Sequence, residues 1–500
     1  MQPERKRRPR REDYLIKLNG GRLPRNVEIA AQAVASAGLN VFTRDDELVQ
    51  VITRGRRVKV HKVTAHHLQK LITQSARLVK VNKAGDYVDC NCPFELAKVV
   101  RDCLEELAFP ELKRITAAPI VTLDGDILSS HGFYPEFGLF VGYTDAPLPE
   151  YKGVLGRARP IKALEDLRSL LSGFPFLEEA DESAAIAAVM SAIQCPIFRA
   201  TPAFGITSAA PGTGKTTLAE IIGAIAMGRR ASALSLPRDE AELEKRLTGA
   251  LSKGGQVVVF DNISRPLGRE DMLNSAVTSE SVEPRLLGSH SMPELTASAM
   301  LIFTANSLVV VGDFRRRLQP IRLDAKMERP EARRFDFDPV EKALQERPKY
   351  LAAACELLVW GAKLGNDQLP DLKPSGFPKW DRYVRGPLVS LGLPDPWATN
   401  ATLWSLDADH EQLESGLAAW YEAFGDEPVT VSEVIKRSEA GNSDLLAFID
   451  SIAGPKKSPT KALGYWLRRH RDRPAGGLRV EYAGKDSHSK VVKWRVVKTG

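Results

Sequence analysis

Residues that could do chemistry are concentrated in Ala209-Ala210-Pro211-Gly212-Thr213-Gly214-Lys215-Thr216-Thr217. Small residues let successive backbone N–H groups turn inward around phosphate oxygens, and the positive end of a following helix points at the same charge. In that pattern Ala210, Pro211, Gly212, Thr213, Gly214, Lys215, Thr216 and Thr217 cradle ATP. Lys215 reaches the outer phosphates and the Thr216 hydroxyl holds Mg2+. Ala209 stands where the first glycine of the pattern usually falls, a substitution small enough to be tolerated. The loop needs a strand before it and a helix after it. Phe204-Gly205-Ile206-Thr207 supplies the first, and the helical spacing of Leu218, Ile221, Ile222 and Ile225 supplies the second.

Three more groups belong to the same chemistry. The apolar run Gln256-Val257-Val258-Val259-Phe260 ends in Asp261. Such runs suit strands buried on both faces of a parallel sheet, whose carboxyl ends border the ligand crevice. Asp261 is therefore the second expected Mg2+ residue. The run Met300-Leu301-Ile302-Phe303-Thr304 leads to Ala305-Asn306, whose amide would orient a water for attack on the γ-phosphate. Arg316 and Arg317 close Gly312-Asp313-Phe314-Arg315-Arg316-Arg317, just before an apolar run over 318–323. One of them would cross to a neighbouring subunit's nucleotide and stabilise the charge that develops in phosphoryl transfer. With Ser232 to Leu236, these runs predict a five-stranded parallel sheet as the core of an α/β multidomain protein.

Taken together, these residues resemble the AAA+ ATPase core. More narrowly, the chain is similar to the ATPases of phage and mobile-element replication proteins, the helicase parts of primase–helicase polypeptides. Val259-Phe260-Asp261-Asn262, Phe303-Thr304-Ala305-Asn306 and Gly312-Asp313 with Arg316-Arg317 carry the resemblance. So does Trp380 to Trp397, with Val384-Arg385-Gly386 and Gly392-Leu393-Pro394-Asp395-Pro396. The resemblance runs from about Lys162 to the C-terminus. It implies a ring-forming, DNA-dependent ATPase related to superfamily 3 and MCM-like helicases. By the same analogy Arg285 and His290 lie where a channel hairpin would touch DNA, although an ordinary surface hairpin accounts for them equally well. The helical pattern from Asp338 to Leu364 would be a lid over the nucleotide, with Arg347 a candidate for the γ-phosphate, although an ordinary surface arginine accounts for it better.

One residue departs from the family. Where most AAA+ ATPases place Glu after the Mg2+-site acid, this chain has Asn262. Either hydrolysis is weak or another acid serves as base, with Glu280 and Asp313 as candidates.

Around this core the chain reads as a basic arm (1–12), a mixed α/β N-terminal domain (13–146), a Pro/Gly-rich linker (147–161), the P-loop core (162–337), helical lid and connector (338–408), and a tail (409–500). The N-terminal domain holds a predicted antiparallel meander between Val41 and Val60 and helical spacing over Ala65–Val79 and Phe94–Leu107. In the tail, helices precede Ser458-Pro459, which would cap a helix carrying Lys461, Arg468 and Arg469. A hairpin with Lys485 in its turn region follows. That order predicts a DNA-binding winged helix.

Charge placement agrees. Residues 1–11 carry six Lys/Arg against one Glu, and residues 456–500 carry thirteen Lys/Arg against three acids, within a net charge of +7. Basic character at both ends suits an electrostatic grip on nucleic acid, while the arm alone reads equally well as a solubilising tail. Five cysteines without a disulfide framework suggest a reducing, cytoplasmic setting, and Cys90, Cys92 and Cys103 lack zinc-site spacing. No apolar run is long enough to span a bilayer, and residues 1–11 lack the apolar segment of a signal peptide. The expectation is a DNA translocase, most simply a hexameric replicative helicase that works with DNA and other replication proteins. An ATP-switched assembly factor and a protein remodeller are the alternatives.

Overall fold

Five apolar runs align as one parallel sheet: β1 (Ala203–Ser208), β2 (Ala233–Leu234), β3 (Val257–Ile263), β4 (Met300–Asn306) and β5 (Leu318–Arg322). Their order is β2-β3-β4-β1-β5, and every pairing is parallel. The five-stranded parallel sheet expected of this α/β multidomain chain is thus present. Burial explains the sequence pattern. Phe204, Ile206, Phe260, Ile302 and Phe303 have no accessible surface, as required of strands covered on both faces.

The computed structural model describes residues 9–19, 21–145, 148, 156–198, 200–252, 254–279, 281–282, 295–296, 299–327, 330, 337–405, 408–453, 458–486 and 491–499. Expected DNA contacts Arg285 and His290, the candidate base Glu280 and most of the predicted linker lie outside the described residues. The chain divides into two compact units, Met1–Asn400 and Ala401–Gly500.

In the first unit, α1 (Ala158–Leu171) and α2 (Glu179–Gln194) precede β1, and α3 (Lys215–Met227) follows it. Helix α4 (Glu240–Ser252) lies between β2 and β3, and α5 (Asp271–Thr278) between β3 and β4. Helix α2 is buried on nearly all sides. Its one buried acid, Asp181, meets Arg322 at 3.0 Å (Nε) and 2.9 Å (a terminal guanidinium nitrogen), tying the helix to β5. A charge in such a place is retained only when paired and hydrogen-bonded.

The N-terminal part contains the predicted meander, Val41–Arg44, Glu47–Arg54 and Arg57–Lys62. The helix predicted over 65–79 stops at Ser75. Arg77–Val81 is instead the central strand of a small sheet, parallel to Leu15–Lys17 and antiparallel to Tyr87–Asp89, because Leu78 and Val79 are buried better there than in another helical turn.

Arg347 requires a correction. It opens α7 (Arg347–Lys363), which follows α6 (Pro339–Gln345), but it does not face the phosphate loop. Its guanidinium is fully buried and donates to the carbonyls of Ile225 (2.8 Å), Ala226 (3.1 Å) and Ala117 (2.8 Å), and it pairs with Asp145. Arg56 joins the same carboxylate at 2.5 Å. Ile225 lies ten residues beyond Lys215 in α3, so Arg347 sits about 15 Å from the loop, capping the helix's negative end. Burial pushes its pKa down, and Asp145 works against that shift.

Residues 366–400 pack on the sheet side of this unit. Arg385 grips Asp395 with two bonds of 2.7 and 2.6 Å and also reaches Asp381, while Asn400 donates to the carbonyls of Arg315 and Leu318. Trp380 is buried and donates to Ser191 in α2 (2.9 Å). Within the Trp380–Trp397 stretch, Trp380, Asp381, Arg385 and Asp395 are thus engaged in internal contacts.

The second unit packs α8 (Ala408–Phe424), α9 (Val431–Glu439), α10 (Ser443–Ala453) and α11 (Pro459–His470) with a four-stranded antiparallel sheet. Its strands are β6 (Val429–Thr430), β7 (Pro474–Ala475), β8 (Leu478–Lys485) and β9 (Val492–Lys498), in the order β6-β9-β8-β7. Leu417, Trp420, Phe448, Leu463, Trp466 and Val480 form its core. Capping differs from expectation at Ser458. Thr430, in a capping box with Glu433, starts α9, and the Ser458 hydroxyl makes no cap bond to α11.

Candidate nucleotide-binding site

Strand β1 is buried up to Ser208, after which the chain breaks outward through 209–214 and enters α3 at Lys215. Glycine is required where the loop turns. Gly212 and Gly214 have φ of +75° and +99°, in the left-handed region that L side chains rarely adopt. A Cβ at Gly214 would also stand 3.1 Å from the Phe174 ring. Thr213 is buried and its hydroxyl donates to Ser208 Oγ (2.8 Å), fixing the loop's inner side. Lys215 Nζ lies within the loop, donating to Ser208 Oγ (2.6 Å), Ala210 O (3.0 Å) and Thr213 Oγ1 (3.3 Å). Burial holds this ammonium below the ordinary lysine pKa, and Asp261 pulls it back upward.

Strand β3 delivers its acid through a bulge. Phe260 pairs with Phe303 and Ile263 with Ala305, so the register shifts between them, and Asn262 takes a φ of +56°. The bulge brings Asp261 Oδ1 to 2.9 Å from the Thr216 hydroxyl. Thr304 supports it from β4. Its hydroxyl donates to Asp261 Oδ1 (2.5 Å) and accepts from the Asn262 N–H (2.9 Å). A hydroxyl and a carboxylate converging beside a phosphate loop form an oxygen donor set, the kind that suits Mg2+. Thr216 and Asp261 would hold the ion.

Topology positions Asn306. Because β4 lies between β3 and β1, its last residue stands between the acid and the loop, in register with Ser208. Its side chain is exposed at this edge. The chain then turns away, with Ser307 N bound to Ser208 O (2.9 Å) and Leu308 N to Thr207 Oγ1 (2.9 Å).

The two arginines before β5 differ. Arg317 is folded onto its own chain, donating to Asn274 O (2.6 Å), Thr278 Oγ1 (3.0 Å) and Asp313, and its side chain is only 17% exposed. Arg316 pairs with Asp313 alone and is 65% exposed, so it is the one able to project outward. Asp313 is ill suited to serve as the base that Asn262 does not provide. Arg316 and Arg317 hold its carboxyl below the usual carboxylate range, which weakens it as a proton acceptor.

The structure thus brings Ala210–Thr217, Asp261 and Asn306 to one edge of the sheet. Lys461, Arg468, Arg469 and Lys485 belong to the second unit, where all four are exposed. Sequence reasoning missed Ser208, Thr304 and Phe174. A lone Thr ending the apolar run 300–304 was the available signal for the second. Nothing near Phe174 announced its contact with Gly214.

No family model and no curated protein matches this chain. Among solved structures, an apo structure of the NrS-1 C-terminal region is 14% identical, covering 94% of this chain and 99% of its own, with a TM-score of 0.44. JCV helicase is 17% identical over 42% of this chain and 64% of its own, at a TM-score of 0.22. What this chain is by structure is an α/β multidomain protein built on an all-parallel five-stranded sheet.

Proposed function

We propose that the chain is an ATP-dependent DNA translocase, most simply a hexameric replicative helicase with an AAA+-type core. The observation that carries this reading is the meeting of Lys215, Thr216 and Asp261 at the carboxyl edge of the sheet, with Asn306 beside them. Phosphates bind the inward N–H groups of 210–214 and the start of α3, displacing the Lys215 ammonium from Ser208 and Ala210. Mg2+, when bound, neutralises charge on the β- and γ-phosphates. Asn306 orients the attacking water, and Arg316 of a neighbouring subunit stabilises charge that develops as the bond to the γ-phosphate breaks. In this reading α6 and α7 form the helical lid, and the tail is a winged helix whose basic helix and hairpin carry Lys461, Arg468, Arg469 and Lys485 to the DNA backbone.

Unwinding of a forked DNA by the purified protein tests the proposal. ATP-dependent strand displacement is expected, and DNA-stimulated ATP turnover without displacement would favour a loader or remodeller. A second reading has an observation of its own. Asn262 occupies the position after Asp261, and Asp313 is engaged by Arg316 and Arg317, so neither of these two positions offers a free base. An assembly factor switched by ATP binding would show tight nucleotide binding with no turnover.

A further inference from the structure

Helix α11 carries Lys461, Tyr465 and Arg469 at successive i, i+4 steps, so the three side chains share one face, about 6 Å apart along the axis. That face forms one wall of a groove of about 600 Å3, with Gln412 and Ser451 on the opposite rim. Tyr465 is 65% exposed, the highest exposure of any large apolar or aromatic side chain among the described residues. Placing an aromatic ring in water at that level gives up the burial that Trp466 and Leu467 next to it obtain.

Trp466 also lines the groove and is only 6% exposed, and its indole N–H is buried with no acceptor among the described residues. The Ser458 hydroxyl, on the same wall, is likewise not spent on capping α11.

We infer that this groove binds single-stranded nucleic acid, with a base stacked on Tyr465 and the flanking phosphates held by Lys461 and Arg469. An exposed ring flanked by cations on one face supplies both components of single-strand recognition, π-stacking and backbone charge. The excess of cations over 456–500 favours a polyanion over an apolar peptide. Stacking needs an unpaired base, so this face of α11 discriminates strand from duplex. Lys461 and Arg469 thereby read a splayed strand instead of a major groove.

The inference rests on the DNA-directed reading above, and its test separates the two. Full-length protein is titrated onto a fluorescein-labelled oligo-dT strand and onto a blunt duplex, followed by anisotropy. Tyr465→Ala is expected to weaken strand binding about tenfold and leave duplex binding within about twofold, while Tyr465→Trp restores the strand. Because Tyr465 lies outside the core, neither change disturbs folding. Strand binding that is insensitive to Tyr465→Ala, or equal weakening of strand and duplex, would overturn the groove assignment alone. A wild-type protein that binds neither would overturn the DNA-directed function with it.

Discussion

Thr304→Val is the substitution that most sharply probes the site. Thr304 is 2% exposed, and valine keeps its shape while removing the hydroxyl. Two bonds disappear: the 2.5 Å donation to Asp261 Oδ1 and the 2.9 Å bond accepted from Asn262 N–H. The first is charge-assisted, a class worth about 1.5–3 kcal/mol. The second leaves a bulge N–H without its acceptor, at a cost of about 1–3 kcal/mol. The larger functional effect is on orientation. With no hydroxyl to fix it, the Asp261 carboxylate loses its alignment with Thr216, and losses of this kind at metal sites weaken the ion by about 10- to 100-fold. A Mg2+ titration of ATP turnover at fixed ATP should therefore show a midpoint at least about tenfold higher for Thr304→Val. Thr304→Ser, which keeps the hydroxyl, should stay close to wild type. Thermal melts run alongside separate this shift from simple unfolding. An unchanged Mg2+ midpoint in Thr304→Val, or a serine variant as impaired as valine, would refute the bulge-and-hydroxyl account.

Arg347→Met should destabilise the first unit by about 3 kcal/mol or more, because three buried carbonyls lose a donor while Asp145 keeps its pair with Arg56, and it should leave the Mg2+ midpoint alone; a melt matching wild type would remove the clamp. Mixing Lys215→Ala with Arg316→Ala, each inactive alone, should restore about a quarter of the turnover in random assemblies, since one interface in four pairs an intact lysine with an intact arginine. Failure to recover at any ratio, with exchange confirmed by labelled subunits, would place Arg316 outside the neighbour's site. Removing residues 401–500 should weaken DNA binding and flatten its salt dependence by about 0.7 per lost phosphate contact on a single strand; an unchanged slope would exclude the tail.

Legibility followed locality. The five strands are written in contiguous apolar runs, and the phosphate loop is a single unbroken stretch whose glycines need positive φ, so both are visible without tertiary information. Arg347 shows the opposite case. Beside Pro348 at a helix start it reads as a surface or lid arginine, and only the packing of α7 against the end of α3 reveals a structural clamp. Thr304 and Ser208 act across strands, so their roles depend on the order β3-β4-β1, which no local pattern encodes. The same holds for Arg77–Val81, where a parallel pairing with residues 15–17 overrode a helical pattern. Arg316 and Arg317 are adjacent in sequence and differ in exposure, and Asn274 and Thr278 of α5 capture the second of them.

Equilibrium binding of ATP with Mg2+ to wild-type protein and to Lys215→Ala, measured by calorimetry, tests the central claim most directly. Saturable binding that is Mg2+-dependent and lost in the variant, whose melt matches wild type, is the predicted result. Binding of equal affinity in both proteins, or none in the wild type, would contradict it.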